Sequence, residues 1–332
     1  MTGKPKTQPS RWSLLAASVG FACIVATPAT AQNFPAKPIR LVVGFPPGGS
    51  NDIVARQLSP EMTKILGQQV IVDNRSGANG TIGTHHVAAS LPDGYTLTLG
   101  SASPLVLSLF TYPNIPYDTL RDFAGITTIA MTAQLIAVHP SMPAMTLKEF
   151  VALAKKNPGR ISFASSGTGG LPHLAIELFK SHAKINLLHV PFKGAGPATA
   201  DLLGGHVQGI IMDFPVLYPS VKAGKLRGLA MLSEQRNPLL PNMPTSAELG
   251  LPEVLAVNWF AVLAPAKTAR PILENLHLAL VKAVSSPQMK SQLEAQGILP
   301  LTKPSLDAFS DFLRSEVTRW GKIAHEAGAT VK

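Results

Sequence analysis

The stretch Gly44–Asp52, GFPPGGSND, stands between a run of apolar or extended residues, IRLVV, and an amphipathic run, IVARQLSPEMTKIL. These patterns predict a β-strand and then a helix from Asp52 to Leu66. The glycines allow close backbone approach to a ligand, and the prolines remove donors that would need partners. We expect Ser50, Asn51 and Asp52 to cap the helix and leave its first N–H groups facing outward. Such a helix start suits a carboxylate, because it combines free donors with a partial positive charge.

The rest of the chain repeats this alternation of strands and helices. QQVIVDN, TLTLGS, RISFASSG, NLLHVPF and VQGIIMDF are typical of strands, and helical patterns separate them. The alternation predicts an α/β fold with a mostly parallel sheet. Two long apolar segments, DFAGITTIAMTAQLIAVHP and VLAVNWFAVLAP, are each able to run from one domain into another. We therefore expect domain I to comprise residues 34–132 and 255–332, domain II to comprise 133–254, and a cleft to lie between them.

The first 31 residues have the pattern of a cleavable secretion signal. Lys4, Lys6 and Arg11 precede an apolar run, WSLLAASVGFACIVA, and ATA stands just before Gln32. The run is shorter than a membrane span, although an uncleaved anchor remains the alternative. The one cysteine, Cys23, lies inside this segment, so the mature chain is expected to hold no disulfide, thiolate metal site or thiol nucleophile.

Basic residues outnumber acidic ones without forming a nucleic-acid-binding patch. The chain has 29 Lys and Arg against 19 Asp and Glu, a net charge of +10. Without the three cations of the leader the count is 26 against 19, or +7. Because these residues are scattered and no basic block contains aromatics, we predict no nucleic-acid partner. A modest positive field suits an anionic small molecule.

Two further loops are expected at the same edge of the sheet as the first. SSGTGG, Ser165–Gly170, lies between a predicted strand and helix of domain II, and PFKGAGPA, Pro191–Ala198, offers the charge of Lys193. One glycine-rich loop alone is weak evidence, since turns use glycine for steric reasons. Hydroxyl-rich loops in both domains favour a shared anion site, because ligands of open α/β sheets bind at the carboxyl ends of strands.

Catalytic and metal-binding patterns are weaker. Neither GK[ST] nor G-x-S-x-G occurs in the glycine-rich loops, and His85 and His86 would point about 100° apart on a helix. We therefore predict no metal, no cofactor and no enzyme activity. A secreted hydrolase using Ser165 or Ser166 with His173 is the alternative. Asp213 could cap a helix, accept a ligand amine or hold a water, and the sequence leaves these roles open.

Several motifs together resemble one family. FPAKPIRLVVGFPPGGSNDIVAR, GQQVIVDNRSGANGTIG, LPDGYTLTLGS, HVPFKGAGPATADLLGGHVQ and VKAGKLRGLAM are similar to segments of the Bug family of bacterial periplasmic solute-binding proteins. These are the TctC-like substrate-binding components of tripartite tricarboxylate transporters. The resemblance extends from about Phe34 to Ala327.

The resemblance implies a two-lobed type II periplasmic-binding (Venus flytrap) fold with a central cleft and two crossing strands. It implies a monomer that holds a small carboxylate between the lobes and meets a membrane transporter or, alternatively, a membrane sensor. The predicted ligand-binding residues are Phe45, Pro46, Gly48, Gly49, Ser50, Asp52, Ser101, Ser103, Ser165, Ser166, Gly167, Thr168, Lys193 and Asp213.

This chain departs from the family pattern at three places. It has GF where Pro-Phe is commoner, SSGTGG where an Asn often follows the first Gly, and MDFPVLYPS where FDNLPSALP is usual. The last two segments belong to the second lobe's side of the expected cleft. The sequence therefore leaves the identity of the carboxylate open.

Overall fold

The computed structural model describes residues 1–4 and 34–327. The predicted signal peptide lies almost entirely outside these residues and stays a prediction. From Phe34 onward the chain packs as one compact unit around a ten-stranded sheet. Within the described ranges, no helix has both the length and the apolar character needed to cross a bilayer.

Strands and helices alternate along most of the chain, as predicted. The strands are β1 (Ile39–Val43), β2 (Val70–Asn74), β3 (Thr96–Ser101), β4 (Phe123–Val138), β5 (Ser162–Ser165), β6 (Leu188–Pro191), β7 (Gly209–Asp213), β8 (Arg227–Met231), β9 (Val257–Pro265) and β10 (Leu299–Pro300). The helices are α1 (Ser50–Leu66), α2 (Thr81–Ala88), α3 (Ser108–Thr111), α4 (Thr119–Asp122), α5 (Leu147–Lys156), α6 (Leu171–Ala183), α7 (Ala195–Leu203), α8 (Phe214–Lys222), α9 (Arg270–Ser285), α10 (Pro287–Glu294) and α11 (Leu306–Ala327).

The sheet is mixed, which corrects the expectation of a mostly parallel one. Its strand order is β2-β1-β3-β9-β4-β7-β5-β6, with β8 and β10 pairing to β4 off this path. Pairing is parallel among β2, β1 and β3 and among β7, β5 and β6. It is antiparallel wherever β4 or β9 takes part. Each lobe is thus a parallel unit, and the strands that connect the lobes run against both.

β4 passes through both lobes. Its residues Phe123–Ala133 pair with β9, whereas Gln134–Val138 pair with β7. The chain returns near Ala256, whose carbonyl accepts the Gln134 N–H at 2.9 Å. This change of partner supports a boundary near residues 132 and 133, although the exact division into domains stays a prediction.

β1 lies in the interior of the sheet, with apolar side chains packed on both of its faces. The first loop begins where this strand ends. Its side chains alternate between two apolar clusters: Ile39, Leu41 and Val43 pack with α1 and α9, while Val42 packs on the opposite side of the sheet. A strand covered on both faces reads as a continuous apolar run, as Leu41–Val43 does, whereas Arg40 near the start of β1 is exposed. The carboxyl end of β1 and the amino end of α1 therefore meet at the loop Gly44–Gly49.

Candidate functional site

The first loop supports α1 differently from the prediction. The helix begins at Ser50 with Gly49 as its N-cap, and the cap makes no side-chain hydrogen bond. The predicted capping by Ser50, Asn51 and Asp52 is wrong, because all three already lie inside the first turn. The N–H groups of that turn have no carbonyl four residues back within the helix, so they remain donors at the loop.

Asp52 holds the first loop together. Its carboxylate accepts hydrogen bonds from the Gly48 N–H at 3.1 Å, Arg56 Nε at 2.8 Å and Asn74 Nδ2 at 2.9 Å. Burial acts to raise the pKa of Asp52, but these bonds outweigh it and leave the pKa below its ordinary value. Gly48, at a φ of 85°, directs its N–H toward this carboxylate. The Gly48 N–H and the Asp52 carboxylate, both predicted to bind the ligand, are therefore already used to join the first loop to α1 and β2.

Asp213 lies where the two lobes and both connecting strands meet. Its carboxylate accepts hydrogen bonds from Ser50 Oγ of α1, Gln134 Nε2 of β4 and Asn258 Nδ2 of β9, the last at 3.0 Å. Burial raises the pKa of Asp213 to about 6, while the bonds from Ser50 and Asn258 oppose that rise. Asp213 occupies the N-cap position of α8, yet its side chain makes no capping bond there. Of the three roles left open, the helix cap is therefore wrong.

A small cavity of about 30 Å³ adjoins Asp213. The cavity lies between the lobes. Its lining includes predicted site residues from the β1–α1 loop, the end of β3 and the residues after it, the β5–α6 loop and the end of β7. These are Phe45, Pro46, Gly49, Ser50, Ser101, Ser103, Ser166 and Asp213. A space of this size takes about two or three water-sized groups, since one such group needs roughly 10–15 Å³.

Ser103 joins the lobes at the edge of this cavity. Its hydroxyl accepts the Leu171 N–H at 3.0 Å, which is the first amide of α6. Ser101 is fully buried at the end of β3. The two serines therefore lie at the predicted place, although one hydroxyl already serves a helix of the other lobe.

The second loop is fixed by two histidines. Ser165 Oγ lies 2.7 Å from His189 Nε2, and His173 Nδ1 accepts the Gly169 N–H at 3.1 Å. The two imidazole rings stack with centroids 4.0 Å apart. Burial lowers the pKa of both, that of His189 to about 3, and each is therefore neutral near pH 7.

The predicted pairing of Ser165 with His173 is wrong. Ser165 is fully buried and contacts His189 instead, while Gly169 occupies His173 Nδ1. The Gly167 N–H also donates to Ser165 Oγ, at 3.3 Å. Ser165 is consequently part of the loop's internal support.

A larger cavity of about 570 Å³ opens beside the small one. The two share Phe45, Pro46 and Ser166, so they form one cleft. Gly167, Thr168 and Lys193 also line the larger cavity, and Lys193 is the one formally charged side chain among its described lining residues. All of the predicted site residues except Gly48, Asp52 and Ser165 line one cavity or both.

The sequence analysis missed the loop Ser76–Gly80, which forms another wall of the larger cavity. Gly77, Ala78, Asn79 and Gly80 all have positive φ, at 139°, 44°, 54° and 89°. A left-handed backbone is costly for Ala78, and such strain concentrates at functional sites. The signal was present in the sequence, because SGANG follows a strand and precedes a helix as GFPPGGSND does.

Two lobes around a cleft that is lined by strand–helix loops define a periplasmic-binding-protein-like fold. A family model described as "Tripartite tricarboxylate transporter family receptor" matches residues 54–329. Protein BugT of Bordetella pertussis (strain Tohama I) is 39% identical over 309 residues, covering 93% of this chain and 94% of BugT. The chain belongs to the tripartite tricarboxylate transporter receptor family, and the predicted resemblance to the Bug family is confirmed.

Solved structures share the whole fold. "R. palustris Rpa4515 with adipate" has a TM-score of 0.86 and 31% identity, with 90% of this chain and 100% of that one covered. "MatC (Rpa3494) from Rhodopseudomonas palustris with bound malate" has a TM-score of 0.83 and 28% identity, with 87% and 99% covered. The predicted two-lobed α/β fold is therefore confirmed.

Proposed function

We propose that this chain is a periplasmic solute-binding protein that captures a small carboxylate between its lobes. The observation that carries the proposal is the continuous cleft of two cavities, lined by loops of both lobes at the carboxyl ends of their strands. This edge is where open α/β sheets bind ligands. Lys193 and the free amides of the first turn of α1 provide the attraction for an anion. Relatives whose structures hold adipate and malate support the same ligand class.

The proposed role includes secretion and delivery. The secretion-signal pattern of residues 1–31 supports a periplasmic location, and family membership supports delivery to a tripartite tricarboxylate-type transporter. Ligand binding would favour the closed arrangement of the lobes, which a membrane partner can distinguish from the open one. A sensor partner would use the same cleft. Pull-down with the isolated membrane proteins distinguishes these two partners.

Binding requires no covalent step in this proposal. A few charge-assisted hydrogen bonds of roughly 1.5–3 kcal/mol each, offset by the cost of closure, are consistent with affinity of about 1 μM. The hydrolase alternative would now depend on Ser166, which lines both cavities. Histidine does not occur among the described residues that line them. An ester turnover assay separates the alternatives, since a binding protein saturates without forming product.

A thermal-shift screen of mono-, di- and tricarboxylates and amino acids, followed by calorimetry, tests the proposal. A ligand that binds the native state raises the melting temperature. We expect at least one carboxylate to do so, and Lys193→Ala to weaken its binding about two- to fivefold, as for an exposed charge. Lys225→Ala, an exposed lysine outside the cleft, is the control and should bind normally. A screen in which no carboxylate binds would overturn the proposed function.

A further inference from the structure

The second lobe carries a groove that is separate from the ligand cleft. It consists of two cavities, of about 410 Å³ and 300 Å³, which share Leu147 and Leu249. Its described lining residues all fall between 145 and 251, within the predicted domain II, and none of them lines the cleft. One wall is formed by α5 and the residues just before it, and another by residues 239–251. We call these two cavities the α5 groove.

Apolar side chains line the α5 groove and stay open to solvent. Met145 is 66% exposed and Leu249 is 39% exposed, while Val151, Leu240 and Met243 are half-buried. Apolar surface that is contiguous and exposed marks an interaction site, whereas single exposed apolar residues are ordinary. Methionine side chains are unbranched and flexible, so they adapt to the shape of a partner.

The charged side chains that line the α5 groove are basic. Lys148 and Lys155 line it beside His182, and its described lining residues include no Asp or Glu. Both lysines are exposed, and neither takes part in an ion pair within the described residues. Charge complementarity therefore favours a partner with acidic side chains at this place.

Carboxylates near the α5 groove already have partners of their own. Glu149 accepts a backbone N–H just before α5 at 2.7 Å, and Glu248 pairs with Arg236 at 2.9 Å. Glu253 Oε2 lies 3.7 Å from His182 Nδ1. The two lysines are thus left for carboxylates that come from outside the described chain.

The spacing of the two lysines describes the partner further. Lys148 and Lys155 are seven residues apart on α5, which places them on one side of the helix and about 10 Å apart along its axis. Val151 lies between them on the same wall of the groove. An amphipathic segment with two carboxylates at a similar separation can meet both lysines while its apolar side chains enter the groove.

We infer that the α5 groove is the docking surface for the membrane partner, a protein segment that inserts apolar side chains beside Met145 and Leu249 and presents carboxylates to Lys148 and Lys155. The inference rests on the proposed function, because delivery of a ligand to a transporter requires such a partner. It assigns the surface that this partner contacts. The interface is small, as transient contacts between soluble and membrane-bound proteins can be.

Binding of the full-length mature protein to purified membrane components of a tripartite tricarboxylate transporter, held in detergent, tests this surface. Biolayer interferometry would compare the wild type with Met145→Asp and with the double variant Lys148→Glu/Lys155→Glu. We expect each to bind about tenfold more weakly, because the first places a charge in an apolar contact and the second repels carboxylates. Leu278→Asp and Lys225→Glu change exposed residues outside the groove and should bind like the wild type.

Salt and folding provide two further readouts. Wild-type binding should weaken as NaCl rises from about 0.05 M to about 0.5 M, and the double lysine variant should lose most of this dependence, because salt screens exposed charges. The melting temperature and the affinity for a carboxylate should stay at wild-type values in every variant, since the groove shares no described lining residue with the cleft.

The outcomes separate the inference from the proposed function. Full binding to the transporter by either folded variant, Met145→Asp or the double lysine variant, would overturn the inference and leave the function standing. Binding of the wild type to phosphatidylglycerol vesicles without transporter, lost in the same variants, would assign the groove to a lipid surface and also overturn it. Wild-type protein that binds none of the membrane components would overturn both the inference and delivery to this transporter, whereas the thermal-shift screen tests carboxylate capture independently.

Discussion

At the scale of single residues, the buried carboxyl of Asp213 makes the stability of the fold depend on pH. Burial raises the pKa of its carboxyl to about 6, against opposition from the bonds of Ser50 and Asn258. The native state therefore binds this proton more tightly than the unfolded chain does. Since the folded pKa lies above the unfolded one, stability from this group is present below about pH 4 and is lost as the pH rises to about 6.

Urea unfolding across a pH series checks this sign. Asp213→Asn does not titrate, so the wild-type free energy of unfolding minus that of the variant isolates the carboxyl. We predict that this difference falls by roughly 3 kcal/mol between about pH 4 and pH 6 and stays level above pH 7. Every other titrating group is present in both proteins, so its contribution cancels when the two free energies of unfolding are subtracted. Two parallel pH profiles would show that the Asp213 pKa is not raised in the folded protein.

At the scale of elements, the loops that wall the cleft approach each other very closely. Gly170, the N-cap of α6, faces Asn79 of the loop before α2. A Cβ added to Gly170 would lie 2.5 Å from Asn79 Oδ1 and 2.8 Å from its Nδ2. The backbone of Gly170, at φ −91° and ψ 175°, accepts alanine without strain. An alanine at position 170 would therefore force the Asn79 side chain, or the loop that carries it, to move.

We predict that Gly170→Ala weakens ligand binding about tenfold, because the added methyl holds the two loops apart. Asn79→Gly removes the obstructing side chain and suits the left-handed backbone, so the double variant should recover most of the affinity. Calorimetry of the two single variants and the double variant measures this coupling. Gly196→Ala, where a Cβ has nothing within 4 Å, is the matched control. Additive losses in the double variant would contradict the contact.

At the scale of the whole molecule, α11 ties the carboxyl-terminal region to a connecting strand. Glu316 is buried, and its Oε2 accepts the indole N–H of Trp259 in β9 at 2.7 Å and that of Trp320 at 3.0 Å. α11 also packs against β4 and α6. One carboxylate thus joins segments that are far apart in sequence.

We predict that Glu316→Ala lowers the free energy of unfolding by roughly 2–4 kcal/mol, since it leaves two indole donors without their charged acceptor. Asp311→Ala on the same helix is the control: Asp311 is exposed and pairs with exposed Arg314, so its loss should cost less than about 1 kcal/mol. Urea denaturation followed by tryptophan fluorescence measures both. Equal losses in the two variants would show that the Glu316 bonds add nothing.

The sequence by itself determined the α/β alternation, the family and the position of most cleft residues. These follow from local patterns: IRLVV must be a buried strand, and GFPPGGSND must turn into a helix at the carboxyl end of that strand. Tertiary structure decided which polar groups remain for a ligand. Asp52 accepts a bond from Asn74 of β2, Ser165 bonds to His189, and Ser50 reaches Asp213 across 163 positions of sequence. A hydrogen bond between distant segments depends on how the lobes pack, and no local pattern of residues encodes that distance.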